Sequence, residues 1–138
     1  MAQFVGLCPT EAIARIRHLE EFDLTWVEEP VRAHDLKGHA FVADAVATPT
    51  QCGENWWGPQ ELTSAIRERA SDYVMPEVMK IGGVTGWTRA AAVAQVNDGR
   101  VSNHLWPEIS AQLLAATPTA HLLQYADWWS CSEEPAPN

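Results

Sequence analysis

An α/β fold with parallel strands, a partial (β/α)8 barrel of the TIM type with about five strand-plus-helix units, is predicted by three features of this sequence. Short apolar runs rich in β-branched and aromatic residues alternate with segments whose apolar residues recur every three to four positions, a pattern that calls for a parallel sheet with helical crossovers. Glu28, Glu54, Glu77 and His104 each follow one of those short runs, at intervals of 26, 23 and 27 residues. One strand, one helix and their loops occupy about that length, so the four side chains are expected at the same ends of neighbouring strands. Finally, the chain has 138 residues, whereas a closed barrel of eight units needs about 250.

Each element has its own cause. Pro9 suits a first helical position, and Ile13, Ile16 and Leu19 recur at helical spacing while Arg15, Arg17 and Glu20 face water. A helix therefore opens the chain. Leu24 to Val27 is a strand, stopped at Glu28-Glu29-Pro30 because proline cannot continue the ladder. Asp35 caps a helix through Phe41, Val42 and Ala45, and Thr48 to Gly53 is a weaker strand ending at Glu54. Gly58-Pro59 starts a helix with Leu62, Ala65 and Ile66 inward, and Tyr73 to Met75 is a strand closed by Pro76-Glu77. Thr85 is expected to cap the helix through Trp87, Ala91 and Val93, which ends in the turn Asn97-Asp98-Gly99. Arg100 to Asn103 forms a strand ending at His104, Pro107 opens a helix through Leu113 and Leu114, and His121 to Tyr125 is the last strand. Residues 1–132 are expected to form one barrel domain, with 133–138 a frayed tail.

Composition removes several functions. The net charge is −9, the pI is near 4.8, and Lys37 and Lys80 are the only lysines, so no basic stripe exists for nucleic acid. No apolar run approaches the roughly 18 residues of a membrane span, and no leader pattern opens the chain. Cys8, Cys52 and Cys131 are odd in number and scattered, which favours reduced thiols and a cytoplasmic setting.

The strand-end residues carry the chemistry. Carboxylates of Glu28 and Glu54 are expected to converge near one rim, where two hard oxygens suit Mg2+, whereas zinc would call for His or Cys. Solvated strand-end glutamates are the bland alternative. His104 can take a proton near neutral pH, and Glu77, ending the preceding strand, is placed to orient its ring. Lys80 is within reach of the same rim, with Asn55 and Asn103 as polar supports. Gly82-Gly83 and Gly86 lack phosphate-loop spacing and fit a tight turn. Trp56, Trp57, Trp106, Trp128 and Trp129 are candidate pocket walls.

Four segments together resemble a known family: Trp26-Val27-Glu28-Glu29-Pro30, Gln51-Cys52-Gly53-Glu54-Asn55-Trp56, Met75-Pro76-Glu77 through Gly86-Trp87, and Ser102-Asn103-His104-Leu105 through Ala120-His121. In this order they resemble the mandelate racemase group of the enolase superfamily. The resemblance implies strands four to eight of that group's C-terminal barrel, with the N-terminal lid domain absent. It also implies an acid-sugar dehydratase or 2-hydroxy-acid racemase, in which Mg2+ binds a substrate carboxylate and a base removes the adjacent proton to give a stabilised enediolate. Glu28 and Glu54 would be metal ligands, His104 the base, Glu77 its orienting partner, and Lys80 the lysine of the sixth-strand motif. The partner would be a small hydroxy acid or sugar acid.

The sequence departs from that group in four ways. Glu77 stands where the group has Asp. Gln124 falls where it has an eighth-strand Glu, and can donate through its amide but not act as an acid. Ala2 and Gln3 occupy the place of a third metal-binding Asp, and the strand-two lysine base has no counterpart. One base and two metal ligands predict weak turnover by this chain alone, since such groups act as a unit. A non-catalytic barrel fragment serving as a structural piece is the rival expectation, and pairing into a homo-oligomer would cover an open strand edge.

Overall fold

The computed structural model describes residues 2–3 and 6–126. Five strands, β1 (Ala2–Gln3), β2 (Val27–Glu28), β3 (Thr50–Cys52), β4 (Tyr73–Val74) and β5 (Arg100–Val101), form one sheet in chain order with every neighbour parallel. Helices α1 (Pro9–Leu19), α2 (Leu36–Ala45), α3 (Gly58–Glu68), α4 (Gly83–Gln95) and α5 (Pro107–Ala115) alternate with them. The parallel α/β architecture is therefore the expected one. Pro9, Pro59 and Pro107 sit in the first turns of their helices, and Asp35 caps α2 by accepting from the Gly38 N–H at 2.9 Å.

Three details differ from expectation. The first strand is β1, although the sequence shows only a helix near its start. Residues 121–126 form no regular strand; Ala120 bridges to Val101, and then the Asn103 side chain takes over, donating to the Gln124 carbonyl at 3.1 Å and accepting its N–H at 2.7 Å. A side-chain amide thus replaces the backbone ladder. Thr85 lies inside α4, whose cap is Gly82 in the left-handed region at φ 102°. The glycine cluster is a tight turn, since a Cβ on Gly86 would run into the Ile81 carbonyl.

One face of the sheet packs on helices. Val27 joins Ile13, Ile16 and Val42 in one cluster, while Cys52, Val74 and Val101 join Leu62, Trp87, Ala90 and Ala94 in another. Alternation along each strand then sends Trp26 and Glu28, Gln51, Met75 and Ser102 to the opposite face. There they line a cavity of about 280 Å3 closed by Leu122, Leu123 and Gln124. This is the inner face of a partial barrel.

Gly53 is the tightest point beneath the site. Its φ is 138°, and a Cβ there would lie 2.9 Å from the Met75 backbone. Gly53→Ala is expected to destabilise the fold by about 2–4 kcal/mol, from a disallowed conformation plus a backbone clash. A urea midpoint unchanged from wild type would contradict it.

Behind β3, buried His39 on α2 places Nδ1 3.2 Å from the Cys52 Sγ. Burial pulls the imidazole down to about 4 and pushes the thiol up, so both are neutral at pH 7. Above the ordinary value of 6.5 the ring is neutral in both folded and unfolded chains. As pH falls from there toward 4, only the unfolded chain takes up the proton, and stability drops by roughly 3 kcal/mol. Urea unfolding across that range should show this slope, and His39→Gln should flatten it.

Candidate active site

Glu28 is the last residue of β2, Glu54 follows β3 after the Gly53 kink, and His104 lies just past β5. The parallel register brings these ends side by side. A carboxylate oxygen from each glutamate and a ring nitrogen of His104 all fall within 4.8 Å of one another. Glu54 Oε2 is 3.0 Å from His104 Nε2, and both side chains are more than four-fifths buried. The backbone is left-handed at Glu29 (φ 40°) and at Leu105 and Trp106 (φ 55° and 49°), immediately after two of the three side chains. Such conformations cost about 1–3 kcal/mol each and concentrate at functional sites.

The two carboxyls differ in environment. Burial, reinforced by the negative charge of Glu54, pushes Glu28 above the usual carboxylate range. The His104 hydrogen bond holds Glu54 below that range despite its partial burial. Glu28 Oε2 is buried without a hydrogen-bond partner among the described residues, as is His104 Nδ1. A buried carboxylate oxygen with no donor is costly unless something positive meets it.

Further polar groups extend the site. Lys80 Nζ donates to Asn55 Oδ1 at 2.9 Å, and Asn55 Nδ2 donates to Glu29 Oε2 at 2.9 Å and to Glu54 Oε1 at 3.0 Å. Gln124 Oε1 accepts the Leu105 N–H at 2.9 Å, which leaves its amide N–H as the available donor beside the cavity that Glu28 also lines.

Glu77 does not meet the His104 ring. Its two oxygens accept the N–H groups of Met79 at 2.9 Å and Lys80 at 3.0 Å, so the carboxylate caps its own turn. The expected His104–Glu77 dyad is thus absent from this arrangement, although the backbones of the two residues are bridged. Two nearby backbone donors take the carboxylate that the imidazole would need. Gln3 pairs in register with Glu28, which puts β1 where a third ligand would stand, and neither of its residues is acidic.

Glu29 carries no signal of a role in the sequence pattern. Strand alternation points it away from the Glu28 side, and only its left-handed backbone brings it to Asn55. Of the tryptophans, Trp56 is buried in the core, while Trp57 and Trp106 are exposed beside the rim. Trp128, Trp129 and Cys131 lie outside the described residues. Cys8 and Cys52 are free thiols, and among the described residues no helix is long and apolar enough to cross a membrane.

The donor set suits a hard cation. Two carboxylates converge, one of them with an unpartnered buried oxygen, which matches the one or two protein carboxylates that Mg2+ takes alongside water and substrate oxygens.

Comparison with known proteins shows the family of this chain. Residues 6–137 match the family described as enolase C-terminal domain-like. The L-talarate/galactarate dehydratase of Salmonella typhimurium LT2 is 33% identical over 117 residues, covering 85% of this chain and 29% of that protein. The L-Ala-D/L-Glu epimerase of Bacillus subtilis is 34% identical over 92 residues, covering 65% of this chain and 25% of that enzyme. A crystal structure of a Bradyrhizobium enolase complexed with magnesium and mandelic acid superposes with a TM-score of 0.87 at 45% identity, covering 93% of this chain and 37% of that one. The chain thus spans between a quarter and two-fifths of these relatives.

Proposed function

Since this chain belongs to the enolase C-terminal domain-like family, of the mandelate racemase/muconate lactonizing enzyme type, we propose that it binds the carboxylate of a hydroxy acid or sugar acid beside a Mg2+ held by Glu28 and Glu54. His104 is then the base for the proton next to that carboxylate. Bound Mg2+ would supply Lewis-acid stabilisation of the negative charge left by proton removal. The observation that carries this reading is the convergence of a buried and a partly buried carboxylate on one imidazole, with Glu28 Oε2 unpartnered among the described residues.

The other residues have subsidiary roles. Lys80 supplies a cation to the rim through Asn55. Gln124 offers an amide donor but no acidic proton, which favours dehydration over racemisation. Glu77 acts on the turn that carries Lys80 and not on the base. We assign the described residues up to 126 to the barrel portion; the remainder of the expected domain, 127–132, and the expected tail, 133–138, lie outside the described residues.

A reading as a binding piece without turnover is favoured by two observations: β1 offers no carboxylate, and His104 Nδ1 has no acceptor among the described residues. Calorimetric titration addresses what both readings share and what divides them. Sugar acids should bind only with Mg2+ present, and Glu28→Gln should abolish the heat. Binding that ignores Mg2+ would overturn the proposal, and Mg2+-dependent binding without α-proton exchange would leave the binding piece.

A further inference from the structure

We propose that Glu29, Asn55 and Lys80 form a clamp that fixes the direction of the Glu54 carboxylate, which makes Glu29 and Asn55 positioning residues of the cation mouth. This rests on the reading of that mouth given above. Asn55 is the centre of the clamp. Its amide nitrogen has two hydrogens, and it donates to Glu29 Oε2 at 2.9 Å and Glu54 Oε1 at 3.0 Å; its oxygen accepts from Lys80 Nζ at 2.9 Å.

Only one orientation of the amide satisfies these partners. Turned over, Asn55 would present its oxygen to two carboxylates and its hydrogens to an ammonium group, so the charges on either side set the flip. With Oε1 held by Asn55, Glu54 aims Oε2 at the mouth, where His104 Nε2 meets it at 3.0 Å. The division of labour between the two oxygens is therefore imposed from outside the mouth.

Glu29 costs the fold something to keep there. It is 7% exposed, has a left-handed φ of 40°, and leaves Oε1 without a partner among the described residues. A third carboxylate beside Glu28 and Glu54 adds repulsion, and a stability-driven choice at this position would be apolar or polar and uncharged. Fixing Asn55, and through it Glu54, is the return for that cost. Partners of this kind typically change metal affinity 10–100-fold when removed.

The test uses Mg2+ alone, by calorimetry on the full chain, with melting temperature measured in parallel. Asn55→Ala and Glu29→Met should each weaken Mg2+ binding by about 10–100-fold, while Glu29→Gln, which keeps an acceptor, stays within about threefold of wild type. Asn55→Asp is the sharper variant. It preserves shape but faces Glu29 and Glu54 with a like charge, so it should be as damaging as alanine, which simple loop packing does not predict. Mg2+ affinity within about twofold of wild type in Asn55→Ala and Asn55→Asp would overturn the clamp.

A metal-free measurement separates this proposal from the function it builds on. In 1H–15N spectra without Mg2+, the Asn55 side-chain amide should exchange slowly with water and become fast in Glu29→Met. That result in a wild type that binds no Mg2+ would keep the clamp and remove the metal site. Fast exchange already in wild type would remove the clamp.

Discussion

Glu54→Gln is expected to lower Mg2+ affinity by at least about 100-fold while leaving the metal-free fold intact, a larger loss than removing an outer partner because the charge itself is deleted. Glutamine keeps the shape of the side chain and an oxygen that can accept from Asn55, whose bond to Glu54 Oε1 is 3.0 Å long. The lost charge also relieves Glu28, which is pushed upward by burial and then by Glu54. The bond to His104 that holds Glu54 below the usual range is weakened at the same time, so the gain at Glu28 is offset and urea stability without metal should stay close to wild type. The opposite pairing, normal Mg2+ affinity with reduced stability, would make Glu54 a structural residue. A pH series gives the sign independently. Since the Glu28 carboxyl is raised, it holds its proton to higher pH than an ordinary glutamate, and cation binding must displace that proton. Affinity should therefore rise with pH through the acidic range in wild type.

The strand ends were the legible part of this molecule. The strand-like segments Leu24 to Val27, Thr48 to Gly53 and Arg100 to Asn103 locate Glu28, Glu54 and His104, and the parallel register converts those positions into proximity. Helix starts were equally plain because Pro9, Pro59 and Pro107 fit only a first turn. What escaped depends on local geometry that residue type does not encode. Strand β1, Ala2–Gln3, contains neither a β-branched nor an aromatic residue, the signal that marks Leu24 to Val27 and Tyr73 to Met75. At residues 121–125 the hydrophobic pattern suits a strand, but the Asn103 side chain occupies the place of a ladder partner. Glu29 is an outward residue by alternation until its backbone turns left-handed. Glu77 has the right position for an orienting acid and the wrong partners, since its own turn supplies two N–H donors.

His104→Asn is expected to reduce exchange of a substrate α-proton with deuterated water by about 10^2–10^4-fold, the usual contribution of a positioned general base. The substitution leaves a hydrogen-bonding side chain at the mouth, so Mg2+ binding should change far less than exchange. Exchange is the informative readout because it requires only proton removal and return, which a chain with one base can perform, whereas a full dehydration or racemisation asks more of the opposite face. Before His104 Nε2 can take a proton it must leave Glu54 Oε2, its partner at 3.0 Å. A cation on Glu54 Oε2 competes with the imidazole for that oxygen, so exchange should depend on Mg2+ and vanish with chelator. Asn103, fully buried and bonded to Leu105 and Gln124, fixes the segment from which the ring projects. The bond to Glu54 favours the proton on Nε2, and with no acceptor at the far nitrogen among the described residues nothing holds the opposite tautomer that leaves Nε2 free, so the wild-type rate should lie toward the lower end of what an oriented histidine achieves. Exchange as fast in His104→Asn as in wild type, monitored by NMR of the recovered acid, would take the base role away from His104 and shift attention to Lys80, the other titratable nitrogen at the rim.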